Sequence, residues 1–339
     1  MLSDSSNGLF SKIKNETKTY RPLTIEWDMT YRCPCSCVHC YQRNNNVEKE
    51  LTRDEIFSVI DDLNLLGAFE YKISGGDPLV RKDIFEILSY LSNKQVKIIF
   101  YTSGFFMNEE NCKKLAETGI TCVETTLLGL DSMTHDHLSN CKGAFNQIIY
   151  GVKLLSHLNI PVRIKFMLLH QNFNQMEHIN KLAEELSLNI DPVPFLWCVH
   201  KESEDTILPF RLTFEEQKEY FSKYPIVPVK KSFVSCNAGK YKLAISPDGH
   251  VKACGAYTDE YSVGNLRLQN IKEIWQNSQQ LNEMRSKHRY PVSQCRICSL
   301  SEFCVLCPAI ASWASQDIIK PYLPMCQYAK AAQSVYEEY

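Results

Sequence analysis

From residue 22 to about residue 224 the chain repeats one pattern, a short apolar run followed by a longer stretch with helical amphipathic spacing. The runs fall near Thr24–Trp27, Tyr71–Ser74, Lys97–Thr102, Cys122–Thr126, Arg163–Leu168 and Ile190–Pro194. Between them, "LTRDEIFSVIDDLNLLG" opens with a capping box, Thr52 to Glu55, and stops at Gly67. "KDIFEILSYLSN", "NEENCKKLAETG", "FNQIIYGVKLLSHL" and "QMEHINKLAEELS" supply the next four helices. Strands alternating with helices predict βαβ units and a parallel sheet. Six such units do not close an eight-stranded barrel. The expected α/β architecture is therefore a partial (β/α)6 TIM-like barrel, with functional groups gathered at the strand C-termini.

The pattern changes after residue 224. "KKSFVSCNAGKYKLAISPDGHVKACGAY" reads as a β-hairpin, with Pro247-Asp248-Gly249 as its turn and a cysteine on either side. A helix-like "NIKEIWQNSQQLNEMRSKH" follows, and cysteines crowd the stretch from Cys295 to Cys326. The expected organisation is a poorly ordered segment 1–21, a barrel over 22–224, a small cysteine-rich domain over 225–328 and a helical tail over 329–339. A length of 339 residues accommodates a barrel-type domain and a smaller module. The formal net charge of −2 argues against nucleic acid as the main partner. The N-terminus lacks a signal-like apolar core and no run reaches membrane-spanning length, so a cytoplasmic protein without a membrane partner is expected.

Fifteen cysteines then need an explanation. They fall in clusters at short spacing, which in a reducing compartment favours metal ligation over disulfides. Cys112 and Cys122 stand apart and read as buried thiols. The stretch "RCPCSCVHCYQR" packs Cys33, Cys35, Cys37 and Cys40 into eight residues just after the first strand. Thiolates select zinc or iron–sulfur clusters. Cys33, Cys37 and Cys40 can hold three corners of a cubane and leave one iron without a protein ligand. Zinc would want a fourth ligand, which His39 can supply. Spacing alone leaves both open.

The spacing Cys33-x3-Cys37-x2-Cys40, with His39 at an aromatic position and Tyr41 next, resembles the signature of radical S-adenosylmethionine (SAM) enzymes. "SGGDPL" (74–79), "YTSGFF" (101–106) and "VETTLLGLDSMTHD" (123–136) resemble further family motifs, each at a strand end. The resemblance implies a [4Fe–4S] cluster on Cys33, Cys37 and Cys40 whose open iron binds S-adenosyl-L-methionine and drives its reductive cleavage to a 5′-deoxyadenosyl radical. It implies that Gly75 and Gly76 admit the methionine ammonium, with Asp77 adding charge nearby. Ser103 and Thr126 become candidates for the ribose, His39 and Tyr41 for the adenine. Two positions depart from the family: Leu128 replaces an aspartate, and Ser139 replaces an arginine that partners the SAM carboxylate, with Lys142 or Lys165 as substitutes. Cys35 falls where the family has an apolar residue and is expected to pack.

The C-terminal cysteines resemble the SPASM extension of these enzymes, the alternative from spacing alone being a pair of zinc ribbons. The resemblance implies two auxiliary iron–sulfur clusters. One would sit on Cys295, Cys298, Cys304 and Cys326, the other on Cys236, Cys254 and Cys307. Some relatives have a further cysteine where Lys242 stands, so the second cluster is short of a fourth cysteine and is smaller, recruits another ligand or leaves an iron open. The family implies oxidative modification or crosslinking of a precursor peptide; a second branch modifies tetrapyrrole side chains in haem biosynthesis. A zinc-stabilised, non-enzymatic binding protein is the reading outside the family. Expected partners are a precursor peptide or small-molecule substrate and a flavodoxin- or ferredoxin-type electron donor. About twenty residues before the first strand are too few for an independent domain, so a peptide leader is expected to be held by a separate peptide-recognition protein, by pairing with the barrel edge, or hardly at all. Cys198, in "FLWCVH" after the sixth strand, is a candidate substrate-side donor, with a buried thiol as the ordinary reading.

Overall fold

The computed structural model describes residues 20–40, 42, 47–196, 204–228, 236–286, 295, 297–304, 307–310 and 321–338. Tyr41 and Cys198 lie outside the described residues. Six parallel strands, β1 (Thr24–Asp28), β2 (Glu70–Ser74), β3 (Lys97–Tyr101), β4 (Cys122–Leu127), β5 (Val162–Met167) and β6 (Ile190–Val193), lie side by side in chain order. Beyond β1 the sheet continues through β7 (Lys242–Ile245), parallel to β1, and then antiparallel β8 (His250–Lys252) and β9 (Gly264–Asn265). The result is a parallel, partial TIM-like barrel extended by a hairpin, as the alternation predicts.

Strand periodicity sorts the side chains onto two faces. Ile25, Trp27, Tyr71, Ile73, Ile98, Phe100, Ile164 and Phe166 are at most 1% exposed. They pack against α1 (Arg53–Leu65), α2 (Ile84–Ser92), α3 (Glu109–Glu117) and α5 (Ala144–His157), whose Ile60, Leu88, Leu115 and Ile148 belong to the same core. Each such side chain contributes roughly 1.5–3 kcal/mol. The alternate residues face the concave side and mix polar groups with Ile99, Tyr101, Met167 and Val193. Ion pairs join neighbouring strands there: Glu70 to Lys97 at 2.9 Å, Glu26 to Lys242 at 2.9 Å, and Glu124 to Lys165.

The helix starts follow their caps. Thr52 accepts from Glu55 N while the Glu55 carboxylate accepts from Thr52 N at 2.7 Å, completing the expected box. Two helices differ from expectation. The segment expected to be helical from Gln175 is a 3₁₀ helix over His170–His178 that becomes α6 (Ile179–Leu186). The buried Asn172 amide explains the tighter winding, since it donates to Leu128 O and Met167 O and accepts from Leu169 N. The stretch expected as one helix from Asn270 breaks at Ser278 into α8 (Ile271–Asn277) and α9 (Gln279–Ser286), and the Ser278 hydroxyl accepts from Leu281 N to start the second. With α4 (Ser132–Ser139) and α7 (Phe214–Lys223) placed, the last helix is α10 (Leu323–Glu337). It carries Cys326, runs across residue 328, and packs Tyr328 edge-on to Phe195 and Phe221. Among the described residues no helix is long and apolar enough to cross a membrane.

Candidate functional site

The loop after β1 holds the first cysteines and is anchored from three sides. Buried Arg81 donates to Met29 O and Leu51 O at its base. The segment after β2 donates from Gly76 N to Thr30 O (2.7 Å) and from Asp77 N to Arg32 O (2.9 Å). The end of α4 holds its middle: Ser139 O accepts from Ser36 N, Leu138 O from Val38 N, and the Asn140 amide donates to Ser36 O.

This backbone framework brings Cys33, Cys37 and Cys40 together. Burial pushes the Cys37 thiol up, and the charges of Cys40 and Cys33 push it further, since gathered thiols resist ionising together. Cys35 does not simply pack. Its thiol hydrogen-bonds to Cys33 and Cys141. That bond favours the Cys33 thiolate and disfavours the Cys35 one. Cys141, whose thiol donates to Pro34 O, is a fifth sulfur beside this loop. Sequence spacing gave no signal for it, a hundred residues downstream.

Gly75 and Gly76 owe their identity to the same framework. Gly75 has φ +133°, and a Cβ there would lie 2.1 Å from Thr30 O. One on Gly76 would lie 2.4 Å from Arg32 O. Asp77, fully buried, accepts from Leu79 N, Thr102 Oγ1, Ser103 N and Ser103 Oγ, which braces the end of β2 against that of β3. Burial pushes its carboxyl up despite these donors. The Ser103 hydroxyl is thus spent on Asp77 and Phe105 N. Thr126 stands on the concave face beside Lys165. Lys165 is paired to Glu124, with its ammonium 5.3 Å from the centre of the Tyr101 ring, and Lys142 is exposed ahead of α5. His39 has an enclosed Nδ1 with no hydrogen-bond partner. Burial, aided by His135, pushes its pKa down to about 4, so it is neutral at pH 7.

The C-terminal cysteines fall into two groups. Cys254, Cys236 and Cys307 all act on the Tyr257 hydroxyl, which burial already pushes up. Burial followed by Cys295 and Cys298 pushes up Cys326 on α10. Cys304 is half-buried at the end of the short 3₁₀ turn Ser299–Glu302. Lys242 is engaged by Glu26 rather than by a thiol.

The donors fit iron–sulfur clusters better than single ions. Four thiolates on one zinc would bring sulfurs to roughly 4 Å of each other, from Zn–S bonds of about 2.3 Å. Among the described residues the one trio of metal-capable groups within 4.8 Å is Asp248, His250 and Asp259, which includes no cysteine. Donor sets made of thiols alone match the ligation of iron–sulfur clusters. The orphaned His39 nitrogen at the loop likewise suits a ligand with a polar edge.

Residues 27–186 match the radical SAM superfamily, and residues 236–299 match the SPASM iron–sulfur cluster-binding domain. The AdoMet-dependent heme synthase of Methanosarcina barkeri is 26% identical, covering 91% of this chain and 97% of its own. The PqqA peptide cyclase of Bradyrhizobium diazoefficiens is 24% identical, covering 87% and 83%. In fold, the chain is similar to Streptococcus suis SuiB bound to precursor peptide SuiA, with a TM-score of 0.68, 16% identity, and coverage of 88% and 74%. The chain belongs to the radical SAM superfamily, and is an oxidoreductase-type enzyme that uses S-adenosylmethionine on a [4Fe–4S] cluster together with auxiliary iron–sulfur clusters in a C-terminal SPASM domain.

Proposed function

We propose that this enzyme oxidatively modifies or crosslinks a peptide. The observation that carries the reading is the concave face, where ion pairs from Glu26, Glu70 and Glu124 line the strands. A peptide offers donors and acceptors along its whole length that can exchange hydrogen bonds with such a wall, whereas the ring face of a tetrapyrrole, away from its carboxylate side chains, would cover the pairs without replacing their partners. The PqqA peptide cyclase and the peptide-bound SuiB fold agree with it. When bound, the radical cluster would supply a 5′-deoxyadenosyl radical that removes a substrate hydrogen.

The residues of this chain hold and orient. Cys33, Cys37 and Cys40 are the ligands of the radical cluster on a loop fixed by Gly76, Asp77, Ser139 and Asn140. Neutral His39 offers a nitrogen to the adenine, with Tyr41 beside it in sequence, and Thr126 is the free hydroxyl for the ribose. Gly75, Gly76, Asp77 and Ser103 act indirectly, as the brace that sets the pocket. Cys295, Cys298, Cys304 and Cys326 hold one auxiliary cluster, and Cys236, Cys254 and Cys307 the other. A flavodoxin- or ferredoxin-type protein supplies the electron.

A second reading, tetrapyrrole side-chain oxidation, is favoured by the end-to-end match to the heme synthase. Anaerobic incubation with SAM and reductant separates them. Short precursor peptides encoded beside the gene should lose hydrogen mass in step with 5′-deoxyadenosine release. Release coupled instead to a change in iron coproporphyrin would replace the peptide reading.

A further inference from the structure

The barrel and the hairpin meet at one carboxylate. Glu26 is the middle residue of β1, with its side chain on the concave face. Its Oε1 accepts from Lys242 Nζ at 2.9 Å and its Oε2 from Gly255 N at 2.8 Å. Gly255 directly follows Cys254, and Lys242 stands six residues after Cys236. A Cβ at Gly255 would come within 3.0 Å of Glu26 Oε2, so glycine lets the carboxylate rest against this turn. Lys72, the ladder partner of Glu26 on β2, adds a second positive charge on its other side.

Lys242 is within electrostatic reach of both Cys254 and Cys236. An amine so placed is the natural candidate to complete a site with three thiolates. Coordination needs the amine lone pair, which an ammonium lacks. Freeing it would strip Glu26 of its salt bridge and leave a half-buried carboxylate with only a backbone donor.

We propose that Glu26 is the positioning residue of the three-cysteine site: by engaging Lys242 and Gly255 together it keeps the lysine amine out of coordination and fixes the Cys254 turn, leaving the fourth position to an exogenous ligand. The consequence is an auxiliary cluster able to take a substrate heteroatom or a small anion. Glu26, more than two hundred residues of sequence from Lys242 and Gly255, belongs to the barrel yet decides coordination in the other module.

The inference rests on the ligand assignment above and not on the substrate. The test uses protein in which Cys33, Cys37 and Cys40 are Ala, so that only auxiliary signals remain, grown with 15N-lysine. With Glu26 intact, pulsed EPR should show no coupling from a coordinated lysine nitrogen, and added cyanide should shift one of two auxiliary signals. Glu26→Gln at pH 9 should introduce the 15N coupling and weaken cyanide binding at least tenfold. Adding Lys242→Met should restore the cyanide response. Lysine coupling with Glu26 intact, or an unchanged cyanide affinity in Glu26→Gln, would overturn the proposal. Should Glu26→Gln lose its cluster, Lys242→Met alone decides: an unchanged cyanide affinity supports the lock, and a marked gain shows that the amine had been a ligand. A tyrosinate–iron absorption band abolished by Tyr257→Phe would also overturn it, by filling the open position. Iron and sulfide for only one auxiliary cluster would refute the ligand assignment and this inference with it. An intact open-site signature, with no peptide turnover by the enzyme that retains Cys33, Cys37 and Cys40, would refute the peptide reading alone.

Discussion

Gly76→Ala tests whether the glycines after β2 serve the cofactor directly or serve the loop that carries the cysteines. The new methyl carbon would sit 2.4 Å from Arg32 O and 2.6 Å from Tyr31 O, against about 3.4 Å for ordinary contact, so one backbone must retreat by roughly an ångström. The sheet cannot retreat, because Trp27 and Asp28 pair with Ile73 and Ser74 immediately before. The loop must. Moving it breaks the bonds from Gly76 N to Thr30 O and from Asp77 N to Arg32 O. At about 1 kcal/mol each, with about 1–3 kcal/mol for overpacking, the local cost is about 3–5 kcal/mol. That is enough to displace a loop while the barrel core stays folded. Iron analysis should show loss of roughly one cluster's worth, and the EPR signal that responds to SAM should vanish, with far-UV circular dichroism unchanged. Full iron with weakened SAM binding would refute the loop argument and favour direct contact with the methionine ammonium.

Three further outcomes are expected. Replacing Cys33, Cys37 and Cys40 together by Ala should abolish 5′-deoxyadenosine formation while C-terminal iron remains, whereas Cys35→Ala should keep iron and cleavage; loss of both in Cys35→Ala would refute the ligand choice. Burial pushes Asp28 up to about 6, against about 3.9 when unfolded, so the native state binds the extra proton in that window and stability falls as pH rises from about 4 to 6. Asp28→Asn should therefore match wild type at pH 4 and exceed it at pH 7 by up to about 3 kcal/mol, read as the difference in urea unfolding between the two proteins; a constant difference would contradict the assignment. Asn140→Ala, which removes the left-handed cap of α4 and the bond to Ser36 O, should cost about 1–2 kcal/mol and leave the radical cluster easier to lose, measured as faster iron release to a chelator.

The barrel was legible because short apolar runs alternate with amphipathic helical stretches and the first helix announces its start with Thr52. The cysteine clusters were legible because local spacing is itself the signal. What escaped was whatever depends on distant segments meeting. Cys141 reaches the first loop only because α4 ends in the left-handed Asn140 and turns back. Ser103 reads as a free hydroxyl until buried Asp77 is found to take it. Lys242 reads only as the place of a missing cysteine until β7 sets it beside Glu26. The glycines of "SGGDP", expected to admit the methionine ammonium, lie against the backbone of residues 30–32 in the structure.

The pairing of β7 with β1 has a consequence for how the protein can be taken apart. β1 is an inner strand only because the C-terminal hairpin covers its far side, from Thr24 against Lys242 to Trp27 against Ile245. A fragment ending near residue 224 would bare a row of unpaired backbone donors and acceptors along a strand that must otherwise find another chain. Such a fragment should therefore self-associate edge to edge, and the domain boundary legible in the composition is not a place where the polypeptide can be cut.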